Sequence, residues 1–207
     1  MIHEALGLIR REFVVYLTSN GYATAEDIVV IENIGLFEST SSGINLDDKI
    51  VLTLVNIEEE STLKNAPFVK NDFTSPARYE NPPVYLNLYL LITACNKSAE
   101  NNSYTEALEK LSLVIRFFQS RNSFSNASSA SGGTSTFSNE DLLMLTIRHE
   151  LFTLSFEQLN HLWGTLGGKQ MPFVMYKLRI VAITERKLLR EVPLIEEIET
   201  NFSKSSK

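Results

Sequence analysis

The segment from Pro82 to Gln119, PPVYLNLYLLITACNKSAENNSYTEALEKLSLVIRFFQ, commits the chain to a core that mixes sheet and helix. Val84, Leu86, Leu88, Leu90 and Ile92 alternate with Tyr85, Asn87, Tyr89, Leu91 and Thr93, the period-two pattern of a strand. Neither set carries a charge, which predicts a central strand covered on both faces. A polar stretch follows. Ser103 with Glu106 three residues later fits a capping box, in which two side chains satisfy orphan donors at a helix start. Tyr104, Ala107, Leu108, Leu111, Val114, Ile115 and Phe118 then recur at helical spacing. This strand and helix are expected to pack on each other as scaffold, and neither holds a group placed for chemistry.

The same reading places the other elements. Ile2, Leu6, Ile9, Phe13, Tyr16 and Leu17 form one stripe of a first helix, with Glu4, Arg10, Arg11 and Glu12 off it. Asn20-Gly21 is a helix stop. Ile28 to Ile34 and Lys49 to Glu58 read as strands, the second apolar on both faces. Ser61 to Asn81, with Pro67 and Pro76, reads as an irregular surface crossing, long for a structureless loop. Ser123 to Ser138 is low-complexity and reads as a flexible connection. In Leu145 to Leu154, Leu145, Ile147, His149 and Leu151 face one way, as in a half-exposed strand. Ser155 and Gln158 form a second capping-box signature. Phe156, Leu159, Leu162, Trp163 and Leu166 line the helix that follows, which ends at Gly167-Gly168. Phe173 to Thr184 is a long strand. These elements predict an α/β (α+β) fold: a single domain with a mixed central sheet flanked by helices.

Composition narrows the function classes. The 207 residues suffice for one domain with a sizeable core, and 43% hydrophobic with 21% charged residues are globular values. A net charge of −6 argues against a general nucleic-acid binder, which needs a basic face to displace counterions. The single cysteine, Cys95, excludes an intramolecular disulfide. The start, MIHEALGLIRREF, lacks a secretory apolar run, and no stretch approaches the length needed to span a bilayer. A soluble, cytoplasmically assembled protein with no direct membrane insertion is expected.

Searches for chemistry return weak signals. His3, His149 and His161 share no ligand spacing, and Cys95 lacks a partner cysteine, so no metal site is predicted. Glu58-Glu59-Glu60 is read as a solvated strand end in preference to a cation site. Gly164-x-x-Gly167-Gly168-Lys169 follows a helix instead of a strand and lacks the phosphate-loop signature. No nucleophile elbow is present. Cys95 reads as a buried structural thiol, and Trp163 as a core anchor. No catalytic residue and no cofactor are predicted.

Several blocks together resemble a known family. They are LVNIEEE (Leu54 to Glu60), YLNLYLLITA (Tyr85 to Ala94), the helix ending Phe117-Phe118-Gln119, and Ser155-Phe156-Glu157-Gln158-Leu159-Asn160-x-Leu162-Trp163-x-x-Leu166-Gly167. A last block is Pro172-x-Val174-x-Tyr176-Lys177-x-Arg179. The chain is similar in these blocks to the tail-terminator or cap proteins of phage-tail-like contractile injection systems, of the antifeeding-prophage and virulence-cassette type. The likeness runs over most of residues 1 to 190. It implies a non-enzymatic subunit of a six-fold ring that ends inner-tube polymerisation and ties the last sheath layer to the tube. Implied partners are further copies of itself, sheath protein and inner-tube protein, within a particle that is released or membrane-anchored. A baseplate or tube-completion adaptor, or a small α/β enzyme, are the alternatives. Residues 1–186 are expected to form the domain and 187–207 a C-terminal arm. Leu188, Leu189, Val192, Leu194, Ile195 and Ile198 give the arm more apolar character than a free tail carries. They are the candidate interface, with packing on the chain's own domain as an equally weighted alternative.

Overall fold

A computed structural model describes residues 2–37, 45–63, 69–70, 77–80, 83–96, 102–125, 145–167, 169–183 and 188–192. Its centre is the strand expected from the alternating segment. This strand, β5 (Val84–Ala94), lies between β2 (Ile50–Glu59) and β8 (Phe173–Ile183), antiparallel to both. Outward from β2 comes β1 (Val29–Ile31), which is parallel to it. Outward from β8 come β7 (Thr146–Leu151) and β6 (Ser123–Ser125). The six-stranded sheet therefore runs β1-β2-β5-β8-β7-β6.

Alternation along β5 divides the interior in two. Leu88, Leu90 and Ile92 join one face, packed under α1 (Ile2–Ser19) and α3 (Ser103–Gln119). Leu91 joins the other, with Val51 and Cys95, beneath Leu162 and Leu166 of α4 (Phe156–Thr165). The first face is rich in aromatic rings. Phe117 stacks on Phe124 at 5.1 Å and meets Phe13 at 4.9 Å, and Phe118 stacks on Tyr176 at 4.0 Å. Such pairs contribute about 0.5–1.5 kcal/mol each beyond their buried area.

Helix α1 ends as its sequence requires. Gly21 takes a left-handed φ of 96°, which lets the Tyr22 N–H reach Leu17 O and the Gly21 N–H reach Thr18 O, both at 3.1 Å. At α4 the second capping box is complete. Ser155 Oγ accepts from Gln158 N at 3.3 Å, and Gln158 Oε1 accepts from Ser155 N at 3.0 Å.

Four expectations are corrected. The Ser103–Glu106 capping box does not form. The N-cap of α3 is Asn102, left-handed at φ 75° and without a side-chain cap bond, and Ser103 is already helical. A capping box needs an extended N-cap, and Asn102 is left-handed. The Ile28 to Ile34 strand is shortened to β1, preceded by the single turn α2 (Ala25–Ile28) and followed by a 3-10 turn, Ile34–Leu36. Thr53 Oγ1 ends the pairing, accepting from Ile34 N at 3.1 Å and donating to Glu32 O at 2.6 Å. The Ser61 to Asn81 crossing contains β3 (Val69–Lys70) and β4 (Ala77–Glu80). They form a separate sheet, β3-β4-β9, with β9 (Leu188–Val192). A partner so distant in the chain leaves no local pattern. Within the expected flexible connection, Ser123–Ser125 is the edge strand β6, anchored by buried Phe124; residues 126–138 lie outside the described residues.

Candidate assembly surfaces

The described part of the arm is β9. Its backbone pairs with β4 from Leu188↔Glu80 to Ala77↔Val192, so Leu188, Leu189 and Val192 belong to the small sheet. Leu194, Ile195 and Ile198 lie outside the described residues.

Other apolar residues reach the surface that the sequence pattern assigned to buried faces. In α3 the buried side is Ala107, Lys110, Leu111, Val114, Phe117 and Phe118. Tyr104, Leu108 and Ile115 are exposed, one above another on its outer side. Leu151 at the end of β7 is 60% exposed and Phe156 at the start of α4 is 88% exposed. The helical stripe tolerated a rotation of about one residue, because Val114 is followed at both i+3 and i+4 by phenylalanine. Between Ile115 and Leu151 runs a groove of about 470 Å³, floored by Phe118 and Tyr176. His149 stands in it, edge-on to Phe118 at 5.0 Å, with Nε2 2.9 Å from the Arg121 carbonyl. Burial holds its pKa below the ordinary histidine value, partly offset by that carbonyl. Burial pushes the Tyr176 hydroxyl up to about 12.

Glu12, placed off the α1 stripe by its charge, is 1% exposed and pairs with Arg121. The signal was its spacing: Glu12 lies four residues after Leu8, inside the buried set. The pair ties α1 to the end of α3. Lys110, also buried, ties the middle of α3 to the turn before β2, donating to Asp48 O at 2.9 Å and Asp48 Oδ1 at 2.5 Å. Asp48 itself holds a left-handed φ of 63°.

The acidic run at the end of β2 is ordered, not merely solvated. Glu58 Oε2 accepts from Tyr89 Oη at 2.6 Å and from Lys177 Nζ at 3.3 Å. Glu60 accepts from Asn87 Nδ2 at 2.9 Å and Thr62 Oγ1 at 2.5 Å. The Asn87 amide, then Thr62, hold the Glu60 carboxyl down to about 2, and Tyr89, then Lys177, hold Glu58 below the ordinary carboxylate value. Glu60 therefore stays anionic into strongly acidic solution, and the corner locks β2 against β5 and β8 through side chains of all three strands.

Cys95 is fully buried, and burial together with the nearby Asp47 pushes its thiol up to about 12, out of the nucleophilic range. Among the described residues, no three His, Cys, Asp or Glu side chains converge as metal ligands. No helix among them is long and apolar enough to cross a membrane.

Three comparisons bear on these surfaces. The family model described as the Pvc16 N-terminal domain matches residues 8–197. No curated protein matches the chain by sequence search. Among solved structures, the fold is similar to the sheath/tube terminator, in its extended state, of the PVC extracellular contractile injection system. The TM-score is 0.63 at 13% identity, over 100% of this chain and 64% of that one. It is also similar to the tube-terminating cap of the anti-feeding prophage, with a TM-score of 0.50 at 18% identity, over 74% of this chain and 49% of that one. The chain thus corresponds to about two thirds and one half of these longer chains, and what they share with it is the fold. Family and fold both agree with the resemblance read from the sequence.

Proposed function

The chain belongs to the Pvc16 N-terminal domain family, and from that membership we propose that it is a structural cap of a contractile injection particle. In this reading it closes the end of the inner tube and attaches the last sheath layer to it. The observation that carries the proposal is the family match over residues 8–197, joined to a terminator fold spanning the whole chain. The role is architectural and needs no catalytic group. It belongs to a particle of the extracellular kind named in the similar structure.

Growth physics supports the assignment. Stacked identical rings join through open, heterologous contacts and elongate until one surface is blocked. A cap must match the last ring on one side and offer no equivalent surface on the other. We infer a closed ring, the cyclic symmetry a tube end imposes, and about six copies is the number the family resemblance implies. The exposed apolar residues of α3, Leu151 and Phe156 are suited to such contacts. Residues 1–186 form the capping domain. The arm from about Leu188 to Phe202 packs on a neighbouring subunit or on the terminal sheath layer, while its first residues also serve the small sheet.

Electron microscopy of particles from cells lacking this chain tests the reading. Tubes of uncontrolled length and detached sheath are expected, with normal length restored on re-expression. Particles of normal length, or a label on this chain found at the baseplate end, would replace the cap by an adaptor. Truncation after Arg186 tests the arm. A folded truncated chain that no longer caps supports an intermolecular arm, and one that caps normally refutes it.

A further inference from the structure

Strand β1 leaves the sheet early. It pairs with β2 from Val29↔Ile50 to Ile31↔Leu52, while β2 runs on to Glu59. From Leu54 to Ile57 the outer side of β2 has no strand partner among the described residues. The direction of its backbone groups follows from Glu60, whose N–H donates inward to Tyr85 O at 2.8 Å. Alternate residues of a strand aim their polar groups the same way, so Asn56 bonds towards β5 and the Ile57 N–H points to the open side.

A cavity of about 370 Å³ occupies the place the next strand would take. Ile31 and Glu32 at the end of β1, Leu54 of β2, Leu6 of α1, and Leu162 and Leu166 of α4 line it. Helices α1 and α4 cover opposite faces, so this is a slot at the edge of the sheet. On the α4 side it meets a second cavity of about 460 Å³ at Val55, Leu162 and Thr165. Apolar side chains supply most of its lining, Thr53, Asn33 and Thr165 add polar groups, and Glu32 stands at the rim. Glu32 accepts from its neighbour Asn33 N at 3.0 Å, and no cation pairs with it among the described residues. Further along β2 lies the acidic run that ends at Glu60.

We propose that this slot receives an extended segment of another protein, alternating apolar and basic residues, as an added strand on the free edge of β2. An open backbone edge selects a strand, and the flanking cavities select its alternate side chains. The apolar part of the lining takes one set, and Glu32 at the rim draws lysine or arginine. A second copy of this chain fits poorly, since it brings a net charge of −6 to an acidic edge. The inference needs only the fold and stands apart from the cap reading.

The test titrates the full, isotopically labelled chain with an eight-residue alternating Val-Lys peptide. Saturable amide shifts from Leu54 to Ile57, with methyl shifts at Leu162 and Leu166, are expected. Ile57→Pro removes the outward donor at a position where an edge tolerates proline. It is expected to weaken binding roughly fivefold to tenfold, and Glu32→Gln about threefold. An alternating Val-Glu peptide is expected not to bind. Absent binding, shifts scattered over the acidic surface, or an affinity that Ile57→Pro leaves intact would overturn the proposal. If Ile57→Pro does not fold, the same peptide N-methylated on alternate residues serves instead, and undiminished affinity overturns it. Self-association through the same residues without peptide would overturn it in favour of a second copy.

Discussion

The two faces of the central sheet are built on different terms. Under α1 and α3 a single cluster runs from Ala5 to Leu178, with the rings of Phe13, Phe117, Phe118, Phe124 and Tyr176 linked by successive contacts near the end of α3. Under α4 the buried cluster is Ile34, Leu46, Val51, Leu91 and Cys95, with Leu162, Leu166 and Phe173 half-buried against it and cavities on either side. The same strands supply both faces, so the difference does not come from β-propensity. It comes from how completely helices cover them. The more fully covered face holds the fold together and keeps a groove only at its margin beside α3, whereas the thinly covered one leaves an open edge and cavities beneath α4.

Truncating a large ring on each face should rank them. Phe117→Ala is expected to cost about 4 kcal/mol and Trp163→Ala about 3 kcal/mol, by chemical denaturation. Trp163 is buried and meets Phe173 edge-on at 5.5 Å. A larger loss at Trp163 would reverse the ranking and make α4 the anchor. Arg121→Ala comes next. It leaves the Glu12 carboxylate buried without its partner, for a loss of about 2 kcal/mol, reduced from a fully buried pair because Arg121 is partly exposed. An unchanged melting temperature would show that water reaches Glu12.

The two helix starts sharpen the comparison further. Ser155→Ala should destabilise by about 1 kcal/mol, since it removes a formed cap. Ser103→Ala should stay within about 0.5 kcal/mol, as no cap bond is lost. Equal losses would mean that α3 caps itself in solution. The smallest effect is pH-dependent. The folded pKa of His149 lies below 6.5, so its contribution is fully present above 6.5 and is lost as pH falls through the folded value. Denaturation midpoints should therefore drop on acidification below 6.5, and His149→Gln should flatten that slope. Glu60 acts lower. Its contribution is present above 4.5 and is lost as pH falls towards about 2, so Glu60→Gln should lower stability evenly above 4.5 and flatten the slope only in the acidic limb below it.

Much of this architecture was legible because period-two and helical patterns survive where both neighbours are close in space. The central position of β5, the stop at Gly21, the cap at Ser155 and the anchor Trp163 all follow from local residues. What escaped depended on distant partners. Glu12 reads as solvent-facing until Arg121 appears beside it. β4 reads as loop until β9 returns to pair with it. Ser103 carries the signature of a cap but lacks the backbone entry that would use it. Among candidate contact residues, the apolar arm was visible, whereas the exposed Leu151 and Phe156 looked like core because periodicity cannot tell a covered face from a bare one.

The order of strands has a consequence for how the protein is made. β5 can meet β2 while the chain is still emerging, because Leu52 and Ile92 are both made before β8. Its other neighbour arrives late: Leu90 must wait for Tyr176. Until β8 is made, the middle of the future sheet is a bare, uncharged strand edge, the kind of surface that recruits chaperones or sticks to its sisters on the same polysome. Refolding should accordingly be slow, limited by closure of that long excursion. Yield should depend more on expression rate and temperature than on the stability of the finished subunit.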